Sequence, residues 1–239
     1  MEPLWHSIVQ WLHALGIHLD AGVASQAGPV AAQAAGRMDL PSLFALAAAL
    51  GWASGFRLYA VVFLVGVAGT AGWVVLPPGL MVLQHPAMLI ASGVMLFVEF
   101  FADKIPGVDS LWDILHSVIR IPAGAALAAG ALGADGATTA TIAALMGGTL
   151  AATSQAAKTT TRAAINTSSE PFSNLLASLA EDGLVVVAVW LATTHPLVFG
   201  IVLVITVVLM WAVTWLLFKF LRAVFRRVSA FLSGSPKVA

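Results

Sequence analysis

The sequence predicts an all-α fold: a polytopic membrane helical bundle of about six transmembrane helices. Three observations predict it. Hydrophobic residues make up 60% of the 239-residue chain and charged residues only 9%, whereas a soluble domain is about a quarter charged. Mean hydropathy is +0.96. From residue 42 onward the chain divides into apolar runs, each near the roughly 20 residues a helix needs to cross about 30 Å of hydrocarbon. Formal net charge is zero, so no global basic field invites a nucleic acid. Cysteine is absent, which excludes disulfides and thiolate metal sites. The opening M-E-P-L-W-H lacks a basic n-region, so no secretory signal is expected.

Residues 1–20 predict an amphipathic interfacial helix. Trp5, Ile8, Val9, Leu12 and Leu15 form one stripe, opposite His6, Gln10 and His13, a pattern that suits a membrane surface or a partner. A plain packing helix fits the same spacing. Residues 21–41 read as a small-residue linker. The membrane domain covers 42–228, with spans expected at 42–72, 81–102, 110–133, 138–158, 172–194 and 197–218. The first is long enough to be tilted or broken, and it contains Gly51 and Gly55. Pro77-Pro78, Pro106, Asp135-Gly136, Pro171 and Pro196 mark the joints. Residues 229–239 form a cytoplasmic tail.

Lys104, Lys158, Arg162, Lys219, Arg222, Arg226 and Arg227 all fall on one side of a six-span arrangement. The opposite loops near 73–80, 134–137 and 193–196 contain no Lys or Arg. The positive-inside rule then places both termini in the cytoplasm. The halves 42–134 and 137–228 each hold three spans, so the second is inverted relative to the first. H85-P-A-M-L-I-A-S92 echoes E170-P-F-S-N-L-L-A-S178 with a one-residue offset. A 3+3 inverted repeat, an arrangement common in transporters, and chance similarity of apolar helices both fit.

Charges inside spans are the informative residues, because each costs roughly 2.5–3.5 kcal/mol at the bilayer centre and so faces a partner or a cavity. Arg57 lies midway along the first span, and Glu181 and Asp182 lie at similar depth in the fifth. Pairing across the bundle is expected. Ala47, Gly51 and Gly55 make a groove for close helix approach. Pro106 and Gly107 break the chain after the second span, and Asp109 follows near a helix N-cap. Asp109, Asp113, His116 and Arg120 are spaced 4, 3 and 4, which makes one polar stripe at 3.6 residues per turn. Leu111, Ile114, Leu115, Val118 and Ile119 take the other faces. Ser154, Lys158 and Arg162 line the fourth helix, and Asn174, Ser178, Glu181 and Asp182 the fifth. With Glu99, Asp103 and Lys104 they are expected to line a polar cavity open to the cytoplasm.

Four cations converging there favour a carboxylate or phosphate ligand, unless nearby acids already neutralise them. Asp109, Asp113 and His116 are weak candidates for a divalent metal, in the manner of Asp-x3-Asp sites acting on lipid phosphate. Ser154 with Lys158 resembles a nucleophile–base pair, but nothing supplies an oxyanion hole. G-x-S-x-G, H-E-x-x-H and the Walker loop are absent. No cofactor is expected.

The runs G51-W-A-S-G-F-R-L-Y59, F101-A-D-K-I-P-G-V-D-S-L-W-D113, I119-R-I-P-A-G124, K158-T-T-T-R162 and N166-T-S-S-E-P-F-S-N174 resemble a bacterial integral membrane family, domain of unknown function 4126. The resemblance covers about residues 42–200 and implies a bacterial inner-membrane protein, with no activity attached.

The leading expectation is therefore a transporter or channel for a small, anionic solute. Arg57, Arg120, Lys158, Arg162, Asn174 and Ser178 would bind the solute. Asp103, Asp109, Asp113, His116, Glu181 and Asp182 would orient them or carry coupling protons, His116 being the group that titrates near neutral pH. A membrane enzyme or lipid-head-group binder at the Asp/His site is the second reading. A structural scaffold, with its charges consumed in internal ion pairs, is the third. Expected partners are the bilayer and a small-molecule or lipid-phosphate ligand, with no nucleic acid. Glycines at 124, 130, 133, 147 and 148 suit packing within the bundle or between the subunits of a homo-oligomer.

Overall fold

The structure is a computed structural model that describes residues 38–105, 108–133, 136–167 and 171–232. The expected helix at 1–20, most of the linker and most of the tail lie outside the described residues. The described residues are all-helical. The order is α1 (Leu40–Thr70), a 3-10 helix (Pro78–Gln84), α2 (Pro86–Ala102), α3 (Val108–Leu132), α4 (Ala137–Ile165), α5 (Pro171–Thr194) and α6 (Pro196–Leu232).

Each α-helix overlaps one expected span. By length and composition, four stretches suffice to cross a membrane: Leu40–Thr70, Leu111–Leu132, Phe172–Thr194 and Pro196–Ser229. The 3-10 helix and α2 make a fifth if that pair, bent by 69°, counts as one span. The expected fourth span, on α4, is a helix of 29 residues but does not reach that standard. Its Thr, Ala and Gly content, with Lys158 and Arg162 near its end, dilutes its hydropathy. The chain is a helical membrane protein, and its described residues hold four to five apolar spans by this measure.

α1 is the axis of the bundle. Asp39 caps it, accepting from Ser42 N at 3.2 Å, and a proline stands in its first turn. It packs against all five other α-helices, so its residues from Leu43 to Gly66 are buried on nearly every side. A helix apolar all round belongs in such a position. Small residues set the distances. A Cβ on Gly51 would lie 2.5 Å from Gly147 Cα, and one on Gly55 only 1.9 Å from Ser154 Oγ. The backbones of α1 and α4 therefore touch, as the small-residue groove led one to expect.

Close contact at Gly55 is followed at once by a break. Arg57 has φ −144° and ψ 78°, outside helical values. The Phe56 carbonyl next to it accepts from Lys158 Nζ at 3.1 Å, so a cation on α4 satisfies a main-chain group beside the break.

The outer helices carry apolar residues outward. On α3, Leu111, Ile114, Leu115, Val118 and Ile119 are all exposed, whereas Asp109, Asp113, His116 and Arg120 are buried. This reverses the pattern of a soluble amphipathic helix and is what a hydrocarbon solvent selects. The exposed Ile201, Val208, Trp211 and Trp215 of α6 follow the same rule.

Candidate functional site: a buried ion-pair network

Four cations sit fully buried inside the bundle: Arg57, Arg120, Lys158 and Arg162. The charged stripes of α3, α4 and α5 bring three of them and their partners together, and the break in α1 contributes Arg57.

Arg57 lies 3.1 Å from Asp103 Oδ2, 3.0 Å from Asp182 Oδ1 and 3.8 Å from Glu181 Oε2. Its Nη2 donates to Ser178 Oγ at 2.6 Å. The expected pairing of Arg57 with Glu181 and Asp182 is thus present. Lys158 Nζ lies 3.1 Å from Asp103 Oδ2, 3.2 Å from Asp113 Oδ1 and 3.2 Å from Glu181 Oε2. Arg162 Nη2 donates to both Glu181 carboxylate oxygens at 3.2 Å, and its Nη1 reaches the Asp103 and Asn174 carbonyls at 3.1 and 3.0 Å. Arg120 is held differently. It donates to Glu99 on α2, to Asp113 Oδ1 at 2.8 Å and to Gln155 Oε1 at 2.9 Å. Gln155 in turn donates to the Asp113 carbonyl at 2.9 Å.

Two lobes result. Around Arg120 stand Glu99 and Asp113. Around Arg57, Lys158 and Arg162 stand Asp103, Glu181 and Asp182, and Lys158 bridges the lobes through Asp113. All the partners are deeply buried except Asp182, whose side chain is 30% exposed. The network reaches the surface at that edge. Burying so many charges costs several kcal/mol per ion, which only multiple short pairings offset. Among the described residues these side chains meet one another rather than a polar space, so the expected polar cavity open to the cytoplasm is filled by the pairs themselves.

The remaining candidates go elsewhere. Asp109 is buried and accepts from Asn166 Nδ2 at 3.1 Å, while Asn174 Nδ2 donates to Asn166 Oδ1 at 2.8 Å. His116 stacks on Trp112, ring centroids 4.0 Å apart, and meets Tyr59 edge-on at 5.8 Å. Asp109, Asp113 and His116 therefore serve three different sets of partners. Among the described residues no group of three His, Asp or Glu could hold a metal ion, which corrects the metal reading of that stripe. A shared helix face sets angular position only, and the neighbours of each turn differ. Ser154 donates to the Trp52 carbonyl at 2.7 Å and has no contact with Lys158 suited to nucleophile activation. Lys104 stays outside the network, over the Phe100 ring and bonded to the Phe100 carbonyl at 2.9 Å. Partial burial, then the nearby Arg57 charge, lower its ammonium pKa below the usual lysine value.

Three participants were not marked for this role by sequence. Glu99 was expected among the residues lining the cavity, with no partner assigned, and it is the fully buried partner of Arg120. Its signal is being the lone acid in its span. Gln155 lies one turn before Lys158 and on the same side of α4 as Ser154. Asn166 sits within a motif that carries the resemblance, with nothing local to show that it bridges Asp109 and Asn174.

A separate cavity of about 320 Å³ lies between α1, the 3-10 helix, α2 and α3, lined by Tyr59, Val62, Met88, Met95, Ala123 and Leu127 among others. It is apolar and stands apart from the charges.

Comparisons with curated proteins and with solved structures return no match. The family model described as "Domain of unknown function (DUF4126)" matches residues 44–216, a stretch that contains every member of the network, and the chain belongs to this family.

Proposed function

We propose that this protein is a membrane carrier or channel for a small anionic solute, and that the ion-pair network is its closed translocation site. One observation carries the reading. Arg57, Lys158 and Arg162 converge on two oxygens, Asp103 Oδ2 and Glu181 Oε2, at 3.1 to 3.9 Å. Three cations around two carboxylate oxygens form a receptor for an acidic group. The Asp103 and Glu181 side chains hold the place that a solute carboxylate or phosphate would take. Broken spans are where carriers build such sites, and α1 breaks at Arg57. Asn174 and Ser178 add neutral contacts, and Arg120 anchors the adjoining lobe. Asp113, Asp182, Asp109 and His116 orient the cations or carry coupling protons as the pairs exchange for solute. In this reading six spans form a 3+3 inverted pair in a bacterial inner membrane with both termini cytoplasmic. Lys158 and Arg162, being inside the bundle, leave that orientation resting on Lys104 and the α6 cations.

The test is uptake of a panel of small labelled anions into proteoliposomes. Arg57→Ala and Arg162→Ala should abolish flux while the protein still purifies as a monodisperse species. Full flux in both folded variants would overturn the reading.

A structural lock is the second reading, because each buried cation already has an acidic partner. It predicts that replacing Lys158 and Asp113 together by apolar residues of similar size keeps the fold and changes nothing else. A carrier with that double change would lose transport.

A further inference from the structure

We propose that the C-terminal turns of α6 bind the phosphate headgroups of anionic bilayer lipids. α6 has 37 residues, about 55 Å of helix, against about 30 Å of hydrocarbon and 40–45 Å with the headgroup layers. From Pro196 to Phe218 it carries no charge. That stretch alone covers the hydrocarbon at 1.5 Å per residue, so Lys219 falls at its edge.

Beyond that edge the helix becomes two-faced. Lys219, Arg222, Arg226 and Arg227 occupy a sector of about 140° at 100° per residue. Leu221, Val224, Phe225 and Val228 fill the opposite sector. All four cations are exposed, and on the apolar side Phe225 is 75% and Val228 51% exposed, with Leu221 and Val224 half-buried. A face of this kind is unstable in water and unstable in hydrocarbon. It fits the boundary between them, with rings toward acyl chains and cations toward headgroups. Lys219 already folds back over the Trp215 ring at 3.4 Å, the posture of a side chain reaching along an interface.

Charge complementarity selects the occupant. No Asp or Glu follows Asp182 in the sequence, so α6 offers these cations no partner of its own. No acid among the described residues forms an ion pair with them. The buried cations engage Glu99, Asp103, Asp113, Glu181 and Asp182, and these four are left for an external anion. A row of cations along a headgroup plane matches a row of lipid phosphodiesters.

The experiment uses the full chain purified in mild detergent, with equimolar phosphatidylglycerol and phosphatidylcholine added. Native mass spectrometry counts the lipids retained. The wild type should retain phosphatidylglycerol preferentially. The variant K219Q/R222Q/R226Q/R227Q should lose that preference by more than tenfold, since each charge near an anionic surface is worth about fivefold. The all-lysine variant R222K/R226K/R227K should keep it, which separates charge from folding. Equal retention of both lipids by the wild type would overturn the proposal. So would displacement of phosphatidylglycerol by millimolar inorganic phosphate alone, which marks a free-phosphate site. Loss of a dimer in the neutral variant, with lipid retention unchanged, would assign the face to a second copy instead.

Discussion

Lys158 Nζ donates to the Phe56 carbonyl at 3.1 Å. The cation of one helix thus satisfies the main chain of another beside the point where that helix breaks. The same ammonium touches Asp103, Asp113 and Glu181 within 3.2 Å. Removing it leaves a bare carbonyl and three buried carboxylates short of a partner. Lys158→Met should therefore destabilise the protein by about 3–5 kcal/mol, the range for breaking a buried pair. Thermal unfolding in detergent, followed by tryptophan fluorescence, measures it. An unchanged midpoint would mean that the carboxylates tolerate one another without the lysine.

Arg120 and Glu99 form the most isolated pair, since Arg120 is the one ion-pair partner of Glu99 among the described residues. Arg120→Met should cost more than the double change Arg120→Met with Glu99→Leu, because the single variant strands a buried charge. A double-mutant cycle should return a coupling of about 1–3 kcal/mol. Additive effects would show that Glu99 owes its stability to something other than Arg120.

Gly55 is the tightest point of the α1–α4 crossing, where an added Cβ meets Ser154 Oγ at 1.9 Å and the Ala151 carbonyl at 2.3 Å. Gly55→Ala should destabilise by about 1–3 kcal/mol through overpacking and displace Arg57 from its carboxylates. Gly183 has open space around its Cβ direction. Gly183→Ala should be neutral or mildly stabilising, since alanine favours helix by up to about 1 kcal/mol over glycine. Equal behaviour of the two variants in a melting experiment would contradict the close packing.

The chain lacks cysteine, so single introduced cysteines report topology against a silent background. In a six-span arrangement, Thr167→Cys and Ser229→Cys should react with an impermeant maleimide from one side of sealed vesicles. Gly72→Cys and Thr194→Cys should react from the other. Labelling of Thr167→Cys and Thr194→Cys from the same side would show that α5 does not span.

Much of the architecture was legible before any coordinates. Hydropathy is a local property, so the membrane class and the six helical segments follow from the residue order alone. Helical periodicity is equally local, so the stripe from Asp109 to Arg120 on α3 could be drawn from spacing, and it does face inward. The pairing of Arg57 with Glu181 and Asp182 followed from equal depth and opposite sign. Glu99 and Gln155 illustrate the limit. Each is a single polar residue in an apolar or mixed helix, and spacing on its own helix cannot say which neighbour it meets.

What residue order determined by itself was the solvent of each face, because hydrocarbon penalises a lipid-facing charge whichever partner the interior offers. What tertiary structure decided was who pairs with whom. That depends on the translation and crossing of whole helices, set here by contacts such as Gly51 on Gly147. The break at Arg57 is likewise a tertiary outcome. G55-F-R-L-Y59 contains no proline, and the extended backbone there is held by Ser178 and three carboxylates on other elements and by Lys158 beside it. The same distinction separates the two cation sets. Lys158 and Arg162 look like a basic helix end in sequence and are the centre of the bundle in space. The four on α6 remain exposed on the outside, and no acid among the described residues pairs with them.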